Sequence, residues 1–465
     1  MSVGANHGMR DARQERLANE SIGKLLLKLS LPAGIGMFVM AFYNIVDTIF
    51  IGQIVGPLGI AGLTIVFPFQ MVVMGLGMIV GIGGASLISR ALGAADIDKA
   101  ERTLGNSIFL VILLGILIPV IGLTNIGFWL RLLGASETIL PYSRDYLEII
   151  LLSTVFQTFA MGISQLVRAE GNARVPMLSM LIGSGLNIVL DAVFILALDM
   201  GIRGAAIATM LSQITTSAYI VHYYYFKNSP LSIHLKNFLL DRSIVREIIA
   251  IGFGAFIRTT GTSLVTIIIN RTLTSYGGDL AVASFGMVMR IMMFIFMPIM
   301  SIGQGLQPII GFAYGARRFD RILKAVKLAI VVATMLSIIS FLIIFFLPAP
   351  IFYIFTNDIS LVTISSHAAK TIFFMSHLIG FQMVGSVIFQ ALGKVVPTFL
   401  TATSRQILFL LPLIYILPNF WQIDGIWLSF PIADGLSFAL TLTLLIPQVR
   451  TIKKAELTAR GEPPS

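Results

Sequence analysis

The chain has no cysteine, which removes disulfide frameworks, thiolate nucleophiles and Cys-based zinc sites from consideration. Charge is scarce as well. Only 12% of the 465 residues are Asp, Glu, Lys or Arg, about half of the roughly 25% in a soluble domain, while 56% are hydrophobic and mean hydropathy is +0.91. A chain of that composition cannot cover itself with polar groups, so its surroundings are lipid. It contains no Walker-type loop to hold ATP and no His-rich cluster to hold a metal. Neither an ATP-driven pump nor a metal-dependent enzyme is therefore expected, and no cofactor. The net charge of +10 does not point to nucleic acid, because the basic residues sit in short loops between apolar stretches, where they set membrane topology.

Residues 1–28 are polar and mixed in charge (Arg10, Asp11, Arg13, Glu15, Arg16, Glu20, Lys24, Lys28), and the apolar run that follows is too long for a cleaved signal. A crossing needs about 20 apolar residues. Cutting at charged and turn-rich breaks predicts twelve spans: 29–52, 59–88, 104–123, 144–167, 175–198, 203–225, 247–273, 280–310, 325–347, 366–391, 396–417 and 425–447. With the N-terminus inside, the tails and even-to-odd loops collect Arg90, Lys99, Arg102, Arg168, Arg174, Lys227, Lys236, Arg242, Arg246, Arg317, Arg318 and Lys394, and the opposite loops hold little beyond Arg131 and Arg203. By the positive-inside rule both termini are cytoplasmic and the protein is a multi-pass plasma (inner) membrane protein.

An internal repeat sets the architecture. Sliding the second half back along the first superposes Ala61 on Ala283, Gly83 on Gly305, Ala91 on Ala313, Gly93 on Gly315, Asp98 on Asp320 and Gly171 on Gly393, all in a single register. After a one-residue indel the register pairs Pro176 with Pro397 and Gly204 with Gly425. The fold class is thus an all-α polytopic membrane protein with two pseudo-symmetric six-helix bundles. Its expected divisions are a tail (1–28), an N-lobe (29–226), a cytoplasmic linker (227–246), a C-lobe (247–447) and a second tail (448–465). Halves with an even number of spans enter from the same side, so their symmetry axis runs along the membrane normal, and a cleft opening alternately to each face is the expected working part.

Ionisable residues inside a membrane cost from a few to over ten kcal/mol and are functional candidates by default. Asp47 in span 1 and Asp191 in span 5 stand at matching depth, roughly 8 to 10 Å below the outer boundary at about 1.5 Å per residue. Asn44 and Asn187 share their helical faces, and Thr209 in span 6 reaches a similar depth. Two neighbouring carboxylates in a low dielectric cannot both stay ionised cheaply, so either a proton or a cation is expected between them. The repeat supplies a control, since Asp47 falls opposite Ile269 and Asp191 opposite Pro412; the scaffold does not require acids there. Weaker candidates are Asp434 in span 12, which either pairs with Arg258, Arg290 or Arg405 or faces the cavity and attracts cationic ligands, and His377 in span 10. Glu148 is expected at the water-accessible end of span 4. Met287 and Met292 are candidates for an adaptable apolar cavity wall, and Pro32 is either the start of a helix or a hinge.

These features together resemble the multidrug and toxic compound extrusion (MATE) family. The resemblance rests on Pro32 with Tyr43-Asn44-Ile45-Val46-Asp47-Thr48 in span 1, the Gly93 loop after span 2, and Gly171-Asn172 through Pro176 to Asn187 and Asp191 in span 5; it covers residues 20–450 and is strongest for the DinF-like branch. It implies an ion site at Asp47, Asn187, Asp191 and Thr209, taking H⁺ or Na⁺, with Tyr43 and Asn44 as neighbours and Pro32 as a bending point. It further implies a monomeric, cation-coupled antiporter of amphipathic, often cationic drugs, with membrane lipids and small-molecule substrates as its partners. NorM-like members carry an additional acid in span 7, where this chain offers Arg258 and Arg271. The alternatives are a flippase of lipid-linked precursors, a major facilitator and an intramembrane aspartyl protease. The first commonly has extra spans or a strongly cationic cavity, the second a long central loop. The third expects Gly-x-Gly-Asp, which neither aspartate has.

Overall fold

A computed structural model describes residues 13–226 and 229–459. Arg10 and Asp11 of the expected first tail, Lys227 of the inter-lobe linker, and the end of the expected second tail (460–465) lie outside the described residues. The described residues form helices and no strands. Hydrocarbon offers a backbone nothing to hydrogen-bond, so each apolar stretch satisfies its own N–H and C=O groups as a helix.

Among the described residues ten helices are long and apolar enough to cross a membrane, and another crossing is built from two pieces, Ile359–Ile372 and Ser376–Ala391, bent by 46°. One of the ten, Arg242–Gly315, runs for 74 residues and breaks at Gly278, where φ is 64°. At about 1.5 Å per residue it is far too long for one passage. It holds spans 7 and 8, and the crossings number twelve. Helices overrun the predicted limits where they leave the hydrocarbon. The first runs Ile22–Ile54 and the last Pro418–Ala459, because Lys24, Lys28, Arg450 and Lys453 are tolerated once a helix reaches water.

The repeat is written in the backbone as well. Gly56, Ala95 and Gly171 have positive φ, and so do Gly278, Arg317 and Gly393, their partners in the repeat register; past the indel, Gly201 recurs at Gln422. Only glycine takes this region freely. Ala95, Arg317 and Gln422 adopt it in register, so the turns themselves repeat and not merely the glycine content.

The chain forms two compact units, Met1–Glu20 with Leu31–Thr260, and Ser21–Ser30 with Gly261–Ser465. In the first, span 4 (Leu140–Ala169) is central, packing along span 2 (Pro57–Gly93), span 3 (Ile97–Thr124) and span 6 (Gly201–Phe226). Lipid tails are as apolar as leucine, so helices associate here through close packing of small residues. A Cβ on Gly81 would stand 3.1 Å from Gly162 Cα. The first turns of span 7 belong to this unit too: Arg90 of span 2 pairs with Glu247 at 2.7 Å. The start of span 7 therefore packs with the first unit. The second unit is organised around Phe285, packed against Trp427 and Phe430 at centroid distances of 6.3 and 5.9 Å.

Candidate functional site

Asp47 lies in the helix Ile22–Ile54, and Asp191 is the last α-helical residue of span 5 (Arg174–Asp191) before a π-helical stretch, Ala192–Ala197. Such π turns are rare and concentrate at functional sites. Both carboxyl groups are inside the protein, 8% and 0% exposed. The charge of Asp47 bears on Asp191, and both bear on the phenols of Tyr43 and Tyr146.

Asn187, one turn before Asp191, is 2% exposed. With its amide nitrogen turned toward Asp191, it donates to Oδ2 at 3.2 Å, and its carbonyl accepts from the backbone N–H of Thr209 at 3.3 Å; only this orientation gives both ends a partner. Asp47 Oδ1 and Asp191 Oδ1 are buried with no hydrogen-bond partner among the described residues. An ionised carboxylate in that condition carries a desolvation cost of several kcal/mol. A proton or a small cation is the chemistry such a pair can accept.

The structure thus brings together Asp47, Asp191, Asn187 and Tyr43, with Thr209 contributing its backbone N–H. Asn44 is exposed, donates to the Met40 carbonyl at 2.7 Å, and also hydrogen-bonds the neighbouring Tyr43. Two participants escaped the sequence reading. Tyr146 of span 4 is 4% exposed, and Gln70 of span 2 reaches its hydroxyl at 3.5 Å. Gln70 was detectable as an amide inside an apolar run. Tyr146 was not, since a tyrosine near the outer end of a span is an ordinary interfacial anchor.

The candidates in the second half resolve differently. Asp434, expected either to pair with an arginine or to face a cavity, is 1% exposed and bonded to Arg405, whose guanidinium also lies 5.5 Å from the Phe296 ring. Met287 and Met292, expected on a cavity wall, are 7% and 5% exposed and belong to the core around Phe285. Their burial accounts for them without a ligand. His377 sits edge-on to Phe341 at 5.6 Å, and Glu148 takes Arg144 at 2.8 Å. Pro32 lies inside the continuous helix Ile22–Ile54.

Twelve crossings in two repeated halves, with a buried acidic pair in the first, are the plan of a membrane transporter. The chain belongs to the MATE family: the family model described as MatE matches residues 32–193 and again 255–416. The multidrug export protein MepA of Staphylococcus haemolyticus (strain JCSC1435) is 28% identical over 451 residues, 97% of this chain and 99% of that protein. The solved structure of the MATE multidrug transporter DinF-BH is 41% identical with a TM-score of 0.88 over 94% of this chain and 98% of its own. A MATE protein crystallised in a bent conformation gives a TM-score of 0.89 at 28% identity, over 95% and 98% of the two chains. The protein is accordingly a multi-pass plasma-membrane transporter and not an enzyme.

Proposed function

We propose that this transporter exports amphipathic, often cationic drugs in exchange for protons, exposing its substrate site alternately to the two sides of the membrane, with Asp47 and Asp191 as the coupling pair. The observation that carries the reading is the pair of buried carboxylate oxygens without partners. MepA and DinF-BH, a multidrug exporter and a multidrug transporter, support the substrate class. Proton loading from outside neutralises the pair and favours the form that releases drug. The membrane potential supplies about 2.3 kcal/mol per net charge moved per 100 mV, so export of a monovalent cation gains from it only when more than one proton enters per drug, and a one-for-one exchange draws on the pH gradient alone.

The donor set favours H⁺ over Na⁺. A proton needs only the two carboxyl groups, and the orientation in which the Asn187 amide nitrogen meets Asp191 is the one that suits a site without a bound cation. A hard cation needs several oxygen ligands, so sodium binding requires Asn187 to flip. Pro32, inside the first helix, lacks an N–H for the helical ladder and serves as the hinge through which the state of Asp47 bends span 1. The protein works as a monomer in this reading, with 29–226 and 247–447 as its two lobes.

The test is ethidium efflux from energised vesicles, with pH and sodium gradients imposed separately. Asp47→Asn and Asp191→Asn should each lose gradient-driven efflux by at least about tenfold while still binding drug, and a pH gradient alone should drive the wild type. Normal transport by both variants would make the aspartates structural; efflux driven by sodium alone would reassign the ion.

A further inference from the structure

We propose that the cytoplasmic ends of spans 9 and 12 bind one anionic phospholipid, its phosphate held by Lys327 and Arg450 and an acyl chain lying in the apolar groove between them. The groove, about 320 Å³, lies within the second unit, and Ile330, Phe381, Leu442 and Ile446 are among its walls; Lys327 and Arg450 are the charged residues that line it. Both cations are exposed, and among the described residues neither has an acidic partner.

Sequence position fixes their depth. Lys327 is the last charge before the uncharged stretch 328–347, and Arg450 is the first after the uncharged stretch 435–449. Each therefore sits where its helix meets water, on the Lys- and Arg-rich face. Anionic lipids populate that leaflet, and basic pockets between helices recognise their headgroups. Long basic side chains keep their stems along apolar surface and their heads in the polar layer, which places two positive heads above an apolar slot. The slot argues against a free anion as occupant. Phosphate would satisfy the cations without entering the apolar slot beside Ile446, 42% exposed, whereas a phospholipid meets the cations with its headgroup and fills the slot with its chain.

Purified full-length protein titrated with phosphatidylglycerol, phosphatidylethanolamine of matched chains or inorganic phosphate, and read by native mass spectrometry, tests the assignment. Wild type should retain one phosphatidylglycerol in preference to phosphatidylethanolamine. Lys327→Ala and Arg450→Ala should each weaken it roughly fivefold, as expected for about one basic contact at an anionic surface. Lys327→Arg should keep wild-type retention, and Ile446→Trp, which fills the slot and spares both charges, should lose it. Equal retention of the two lipids by wild type, or undiminished phosphatidylglycerol binding by the double alanine variant, would overturn the proposal. Displacement of the lipid by millimolar phosphate would reassign the site to a free anion. Should the alanine variants not fold, the contrast of Lys327→Arg with Lys327→Gln decides alone.

Discussion

Two buried acidic positions in this chain have opposite surroundings. In the second half Asp434 meets Arg405, and the guanidinium is itself backed by the Phe296 ring. In the first half Asp47 and Asp191 face an amide, two phenols and each other, and one oxygen of each is without a partner. Asp434 also keeps one buried oxygen, Oδ2, without a partner, so the difference between the halves is the counterion: Arg405 neutralises Asp434, and no cation pairs with Asp47 or Asp191 among the described residues. The repeat sharpens the contrast, because Asp47 and Asp191 fall opposite Ile269 and Pro412 while Asp434 falls opposite Gln213. Each half acquired acids where the other has none, on a shared backbone plan.

The largest effect separates transport from stability. Asp47→Asn and Asp191→Asn should abolish coupling yet leave thermal unfolding in detergent no worse than wild type, since each removes an uncompensated desolvated carboxylate. Asp434→Asn should do the reverse in stability, costing about 3–5 kcal/mol by stranding Arg405 in the core. Replacing the pair together, Arg405→Met with Asp434→Leu, should recover most of that loss in the same melting assay. If Asp434→Asn proved harmless to stability but fatal to efflux, the contrast between the halves would collapse.

A third buried acid gives a smaller, pH-dependent effect at the cytoplasmic end of span 4. Glu170 accepts from Tyr223 and Tyr224, each at 2.8 Å, and from Ser229 at 3.0 Å, with Arg13 at 4.0 Å. Burial nevertheless outweighs these contacts and pushes its carboxyl from 4.5 up to about 7. Between those values the folded protein holds a proton that the unfolded chain releases, so stability is greatest at the acid end of the window and declines as pH rises toward 7. Melting temperatures measured across that range should show the decline in wild type and a shallower one in Glu170→Gln, the remainder coming from the other buried carboxyls. The smallest change expected is for Tyr146→Phe, which keeps the packing and removes one hydroxyl near the acidic pair. A shift of a few-fold in the proton concentration for half-maximal efflux would place that hydroxyl in the site; an unchanged profile would make Tyr146 purely a packing residue.

Much of the architecture was legible because lipid is an unforgiving solvent. Charge placement located the spans and their direction, and the repeat register anticipated the recurrence of positive φ at Gly56 and Gly278, Ala95 and Arg317, and Gly171 and Gly393. Asp47, Asn187 and Asp191 were legible for the same reason: a polar group in an apolar run is conspicuous. Tyr146 was invisible, since its role depends on which helix stands opposite. Met287 and Met292 were candidates for a cavity wall on residue type alone, and packing buried both, while of the two alternatives open for Asp434 the pairing with Arg405 is the one present.

The sequence by itself determined that this chain lives in a membrane, crosses it twelve times in two repeated halves and places Asp47 and Asp191 inside the apolar spans of the first. Hydropathy and charge position settle these matters one helix at a time. Tertiary structure alone decided which buried charges are neutralised. Neutralisation depends on contacts between residues far apart in the chain, Arg405 with Asp434 in one half and the absence of any such cation beside Asp47 and Asp191 among the described residues in the other. No local pattern in the sequence specifies those distances.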